Sequence, residues 1–272
     1  MTTPTRINAS GYADIDDLRL YYEIRGAGGT PLVVLHGGLH NTALDAPVAE
    51  RLAARRRVIS VDLQGHGRTA DVDRPLRFER LADDVAALLA RLEIPRADLL
   101  GYSFGGRVAL RTAVQHPERV RRLVLVSVPF ADAGWYPEVK AAFQHLGRAL
   151  AGPMRPSPAY QTYAAIAPQP ERFPDLLDKM GELGTLPYDW SAEIARLAEP
   201  TLLVYADADA VRPEHVVQFF QLLGGGHRDG GLDRSGVSKA RLAILPGLTH
   251  YDVFESPAMT AAVEPFLDAE GG

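Results

Sequence analysis

Residues Asp98–Leu110 read DLLGYSFGGRVAL. A short apolar run, Leu99-Leu100, meets Gly101-Tyr102-Ser103-Phe104-Gly105, and apolar residues then recur at helical spacing at Val108, Ala109, Leu110 and Ala113. That is the order strand, tight turn, helix. A serine held out at the tip of such a turn takes a strained backbone. Positions two residues away on either side must be small for strand and helix to close, and Gly101 and Gly105 meet that need. The stretch therefore reads as a nucleophile elbow with Ser103 at its tip. The helix beyond would aim its first N–H groups, notably that of Phe104, at the place where an oxyanion forms beside the hydroxyl. The plainer alternative is a serine that merely caps a helix.

Composition narrows what surrounds this turn. With 272 residues and 46% hydrophobic content, the chain can bury one large α/β core with an inserted subdomain. A net charge of -5 supplies no basic field, and Arg55-Arg56-Arg57 reads as a solvated helix end, so nucleic acid is not an expected partner. The absence of cysteine removes disulfides, thiolate metal sites and cysteine nucleophiles, leaving oxygen nucleophiles. No apolar run approaches the roughly 20 residues needed to span a bilayer, and the N-terminal MTTPTRINASGYADIDD lacks the apolar core of a signal peptide. A cytoplasmic protein without membrane association is expected.

Along the chain, Tyr12–Arg25 alternates as two short strands joined near Asp16-Asp17, an antiparallel edge. Pro31–Leu35 is a buried parallel strand ending in His36-Gly37-Gly38, and Ala43–Ala54 is a helix. Val58–Leu63 is a second buried strand, closed by the glycine-rich Gln64–Thr69. Leu81–Leu92 is the clearest amphipathic helix. After the elbow helix, stopped at Pro117, comes a strand over Val120–Val128. Between Pro129 and Pro200 the alternation stops: prolines, both tryptophans and helical fragments occur without a convincing strand, which marks an insertion. Strands resume at Thr201–Ala206 and Leu242–Leu245, with helices over Pro213–Leu223 and Ala258–Leu267. The polar, glycine-rich stretch from Gly224 to Lys239 is compositionally a surface loop. The expected fold is α/β, a doubly wound, mostly parallel sheet with a small helical cap. Residues 1–128 and 199–272 would form the core and 129–198 the cap. Reactive groups then gather at the C-terminal ends of strands.

A serine hydroxyl needs a base, and the base needs a carboxylate to fix its tautomer. Of the eight histidines, His250 is the best placed: it follows a strand, in Pro246-Gly247-Leu248-Thr249-His250, ahead of the last helix. His36 turns inward at a strand end, His66 packs on the sheet, and His116, His40, His145, His215 and His227 lie at helix ends, in loops, in the insertion or within a helix. For the carboxylate, Thr201–Ala206 ends in Asp207-Ala208-Asp209. Asp209 is preferred, because the first aspartate is better suited to bonding backbone N–H groups of its own loop. His227 and Asp229 could be drawn as a metal pair, but a flexible glycine loop lacks a rigid second shell, so no metal is expected.

Ser103, Asp209 and His250 thus follow in the chain order serine, acid, histidine, each just after a strand. On these residues, with HGG at 36–38, DLQGHGRT at 62–69, GYSFGG at 101–106, HPERVRRLVLVS at 116–127, ADAD at 206–209 and PGLTH at 246–250, the chain resembles the α/β-hydrolase superfamily. In detail it resembles the small capped enol-lactonases, esterases and cofactor-free haloperoxidases. The resemblance implies Ser103 as nucleophile, His250 as base, Asp209 as acid and the N–H groups of Gly38 and Phe104 as oxyanion donors, with Leu39 the competitor of Gly38. It also implies that no cofactor is needed and that Leu39, Trp135 and Tyr136 border the substrate, although the cap aromatics would equally serve as a small core. Gln64 stands where relatives have an arginine, so a salt bridge common among them is expected to be missing. Relatives that dehalogenate or open epoxides carry an aspartate at the elbow, which Ser103 argues against. The expected activity is hydrolysis of a small ester or lactone with an apolar part. The alternatives are carbon–carbon bond hydrolysis or acyl transfer with the same triad, or a small-ligand receptor on this fold. Oligomeric state is not readable.

Overall fold

The computed structural model describes residues 7–269; residues 1–6 and 270–272, at the two ends of the expected core, lie outside the described residues. Eight strands form one sheet in the order β1-β2-β4-β3-β5-β6-β7-β8. They are β1 (Ile7–Ile15), β2 (Leu18–Arg25), β3 (Leu32–Leu35), β4 (Val58–Asp62), β5 (Ala97–Tyr102), β6 (Val120–Val126), β7 (Thr201–Ala208) and β8 (Ala240–Thr249). β1 and β2 pair antiparallel, β2 joins β4 antiparallel, and every pairing from β4 to β8 is parallel. The expected antiparallel edge and parallel centre are both present.

The central strands are mostly apolar and almost wholly buried because helices cover both faces. Alternate residues go to opposite sides. Val33, Leu99, Leu123 and Leu203 join the core beneath α2 (Phe78–Arg91) and α3 (Ser103–Gln115). Val34, Leu100, Val124 and Val204 join the core beneath α1 (Ala46–Ala53) and α10 (Pro257–Asp268). Between β6 and β7 the chain is helical: α4 (Pro137–Gln144), α5 (Ala151–Met154), α6 (Pro158–Ile166), α7 (Phe173–Thr185) and α8 (Ser191–Ile194). α9 (Pro213–Leu222) follows β7. Among the described residues, no helix is long and apolar enough to cross a membrane.

Several boundaries differ from the sequence reading, two of them for clear reasons. α1 begins three residues late because Pro47 belongs in a first turn, and the side chain of Asn41 instead accepts the N–H groups of Ala43 and Leu44 to make a turn there. β8 runs on through Pro246 to Thr249. It is the last strand of the sheet, where a proline is tolerated, and Gly247 at φ 73 carries the register shift.

The loops at the ends of β3 and β4 are pinned by buried imidazoles. His36 Nε2 accepts from the Leu63 N–H at 3.1 Å while its Nδ1–H donates to the Gly37 carbonyl at 2.7 Å. Only a neutral ring can do both. His66 donates from Nδ1 to the Gln64 carbonyl at 2.9 Å and stacks on Phe104. Burial pushes His36 down to about 4 and His66, with His36 beside it, down to about 3. An unfolded histidine takes its proton near pH 6.5, so each ring contributes stability above that pH that is lost as pH falls towards its folded value. His66→Phe should therefore flatten the acid limb: between about pH 6 and pH 4, the wild-type protein should lose about 1.4 kcal/mol per pH unit more than the variant. Urea denaturation across that range checks it, and parallel slopes would mean that His66 is not held neutral.

Candidate active site

β5 ends at Tyr102 and α3 begins at Ser103, so strand passes into helix with no residue between them. Ser103 sits at φ 50, in the left-handed region that non-glycine residues avoid, at a cost of about 1–3 kcal/mol. The flanking glycines allow it. A Cβ on Gly101 would lie 2.4 Å from the Gly105 carbonyl oxygen, and one on Gly105 would lie 2.3 Å from that of His36. The Gly105 N–H instead donates to that His36 oxygen at 3.0 Å, tying the start of α3 to the end of β3.

The structure brings Ser103, His250 and Asp209 together. His250 Nε2 lies 3.1 Å from Ser103 Oγ, and its Nδ1 lies 3.1 Å from Asp209 Oδ1. All three side chains are almost fully buried. Burial alone would raise the Asp209 carboxyl. Hydrogen bonds from His250, from the Ser127 hydroxyl at 2.5 Å and from the Ala206 N–H at 3.1 Å outweigh it and hold the carboxyl below the ordinary range. Asp207 is exposed and works elsewhere, accepting the Gly247 and Leu248 N–H groups where β8 bulges.

Phe104, second residue of α3, has an N–H that no helical carbonyl can reach. Gly38 borders it: a Cβ there would lie 3.6 Å from that of Phe104. Leu39 follows in the left-handed region at φ 63. Gly38, Leu39, Ser103, Phe104, Trp135 and His250 all line one cavity of about 270 Å³, which α4 and α7 of the helical insertion help to enclose. Tyr136 stands outside the lining of this cavity. Trp135 and Tyr136 are both extended, at ψ 150 and 146, so their side chains diverge, and Trp135 alone packs edge-on against His250 at 5.7 Å.

Three contributors went unnoticed in the sequence. Ser127 ends the apolar run of β6 and supports the acid. Tyr102 donates from its hydroxyl to the His250 carbonyl at 2.6 Å. Arg107, one turn beyond Ser103, is a charge on the apolar face of α3, a signal that was visible. Gln64 accepts from Arg74 at 2.7 Å and donates to Asp71 at 2.9 Å, and Asp71 pairs with Lys179 of α7 at 2.7 Å. An uncharged side chain thus keeps a polar tie to the insertion. His227 donates from Nε2 to the Gln221 carbonyl at 2.9 Å, while Asp229 accepts the Gly231 N–H. Among the described residues, no cluster has the makings of a metal site.

Known proteins share this arrangement of strands and helices. The profile described as the alpha/beta hydrolase fold matches residues 30–179. A pimeloyl-[acyl-carrier protein] methyl ester esterase of Chromobacterium violaceum is 32% identical over 215 residues, 72% of this chain and 82% of that protein. The dihydrolipoyllysine-residue acetyltransferase component of the acetoin cleaving system of Pseudomonas putida is 43% identical over 110 residues, 39% of this chain but only 29% of that longer protein. The crystal structure of the enol-lactonase from Burkholderia xenovorans LB400 superposes with a TM-score of 0.69 at 25% identity, covering 95% of this chain and all of that one. On a profile match over more than half its length and a relative matched over most of both chains, this protein belongs to the alpha/beta hydrolase fold family.

Proposed function

We propose that this protein hydrolyses a small carboxylic ester or lactone through an acyl-enzyme on Ser103. The observation that carries the reading is the unbroken hydrogen-bonded series from Ser103 Oγ through His250 to Asp209, opening into a mostly apolar cavity. Esterase and enol-lactonase relatives support it.

In the proposed reaction Ser103 Oγ attacks the carbonyl carbon as its proton passes to His250 Nε2. The carbonyl π pair moves onto oxygen, which the Phe104 N–H and the Gly38 N–H receive. Loss of one such donor costs about 3 to 4 kcal/mol in comparable sites. Collapse expels the alkoxide, which takes the proton back from His250. Water then repeats the sequence and frees the acid. Asp209 holds the His250 Nδ1–H and favours the transient imidazolium, while Ser127 holds the far oxygen of Asp209 as a positioning residue. The cavity of about 270 Å³ suits a small acyl group.

Incubation with para-nitrophenyl acetate or butyrate, followed by quenching and mass spectrometry, should trap an acyl group on Ser103. Ser103→Ala and His250→Ala should each lower kcat/KM by about a thousandfold or more while remaining folded. Full activity in either variant would sink the assignment. Asp209→Asn should cost far more than Asp207→Asn. Ser127→Ala should lower kcat by about tenfold through loss of one hydrogen bond to a charged group, with KM little changed. If Asp207→Asn proves the more damaging, the acid has been misassigned.

A further inference from the structure

Arg107 lies on the face of α3 that carries Ser103, one helical turn or about 5.4 Å further on, and lines the same cavity. It is 9% exposed. Its guanidinium carbon stands 4.6 Å from the ring centre of Phe78, 5.5 Å from that of Trp135 and 5.8 Å from that of Tyr188. Three rings from three different segments thus frame one cation and fix the plane of its fork.

What this cation lacks among the described residues is an ion-pair partner. Every other basic group bordering the cavity has a carboxylate: Lys140 has Asp132, His40 has Asp45, and His250 has Asp209. No salt bridge joins Arg107 to an acidic side chain among the described residues, and its buried Nε has no hydrogen-bond partner. The polar groups that act on its charge are the Tyr188 hydroxyl and the more distant Asp132, which Lys140 already holds. Ring faces recover part of the cost of burying a guanidinium, on the order of 2 kcal/mol when desolvated. They leave its Nε–H without a partner. A planar fork fixed in this way matches a carboxylate.

We propose that Arg107 is the substrate's anion-binding group: the site takes an ester or lactone that also carries a carboxylate, seated on Arg107 while the scissile carbonyl meets Ser103. This deepens the hydrolytic reading above and rests on it for the orientation of the substrate. It also explains why a mostly apolar cavity holds an uncompensated positive charge one turn from the serine. Bringing a carboxylate there both neutralises Arg107 and fixes which carbonyl reaches the hydroxyl.

The test compares charged and neutral ester pairs: para-nitrophenyl hemiglutarate against para-nitrophenyl butyrate, with the charge on the acyl side, and para-butyryloxybenzoate against phenyl butyrate, with it on the leaving group. In at least one pair the wild-type protein should favour the charged member. Arg107→Gln should lower the charged-to-neutral ratio of kcat/KM by about tenfold to a hundredfold, mainly through KM, and Arg107→Lys should restore part of it. No Arg107-dependent preference in either pair, or equal losses on both members, overturns the proposal. Calorimetric binding of glutarate to Ser103→Ala protein, with and without Arg107→Lys, reads the subsite without turnover. Should Arg107→Gln fail to fold, the Arg107→Lys data and the wild-type ratios still decide. Glutarate held through Arg107 with no ester turned over would uphold the subsite and overturn the hydrolytic reading. Ser103-dependent hydrolysis indifferent to substrate charge would do the reverse.

Discussion

The site depends on how closely α3 is allowed to approach the ends of β3 and β5. That approach is closer than any side chain permits, which is why Gly105 stands against the His36 carbonyl and Gly101 against the Gly105 carbonyl. Once the helix start is drawn in, Ser103 is forced into the left-handed region and its hydroxyl has nowhere to go but outward. The Phe104 N–H is left without a helical acceptor because it belongs to the first turn of a helix. His36 completes the arrangement from behind. It bonds β4's exit through Leu63 while its own carbonyl receives Gly105, so two strand ends and one helix start share a single residue.

Much of this was legible because the relevant constraints are local. The glycines around Ser103 and the apolar runs of β3 to β7 are written in consecutive residues, and strand ends follow from where those runs stop. The choice of Asp209 over Asp207 rested on a local argument that held only in kind. Asp207 does accept backbone N–H groups, but those of Gly247 and Leu248 on the neighbouring strand, a long-range pairing no window of sequence contains. The same holds for Ser127, whose partner lies 82 residues away, and for Tyr102, whose partner lies 148 residues away. Tyr136 is adjacent to Trp135 in sequence, but an extended backbone sends adjacent side chains apart, so nearness along the chain does not place both at the cavity.

The insertion is held to the core by charge at its rim and by rings at its centre. Asp71 pairs with Lys179 at 2.7 Å and Arg77 with Glu182 at 2.7 Å, both reaching from the loops after β4 to α7. Further in, Arg107 of the core stands among Trp135 and Tyr188 of the insertion and Phe78 of α2. Of these, the more exposed Arg77–Glu182 pair is weak and screened by salt, whereas Asp71–Lys179 is largely buried. The ring cluster is buried too. Under the proposed reading, the residue that would receive the substrate's charge is thus also one that joins insertion to core, so occupancy of the cavity and seating of the insertion are physically linked.

Position in the chain has one further consequence. Ser103 and His250 touch across 147 residues, and the strand that delivers His250 is the last of the sheet, paired only with β7. During synthesis from the N-terminus the serine turn can be complete while its imidazole has yet to leave the ribosome. The contact can therefore form only once β8 is in place. Regain of the Ser103–His250 contact during refolding thus reports arrival of the final strand, which recovered helix content does not.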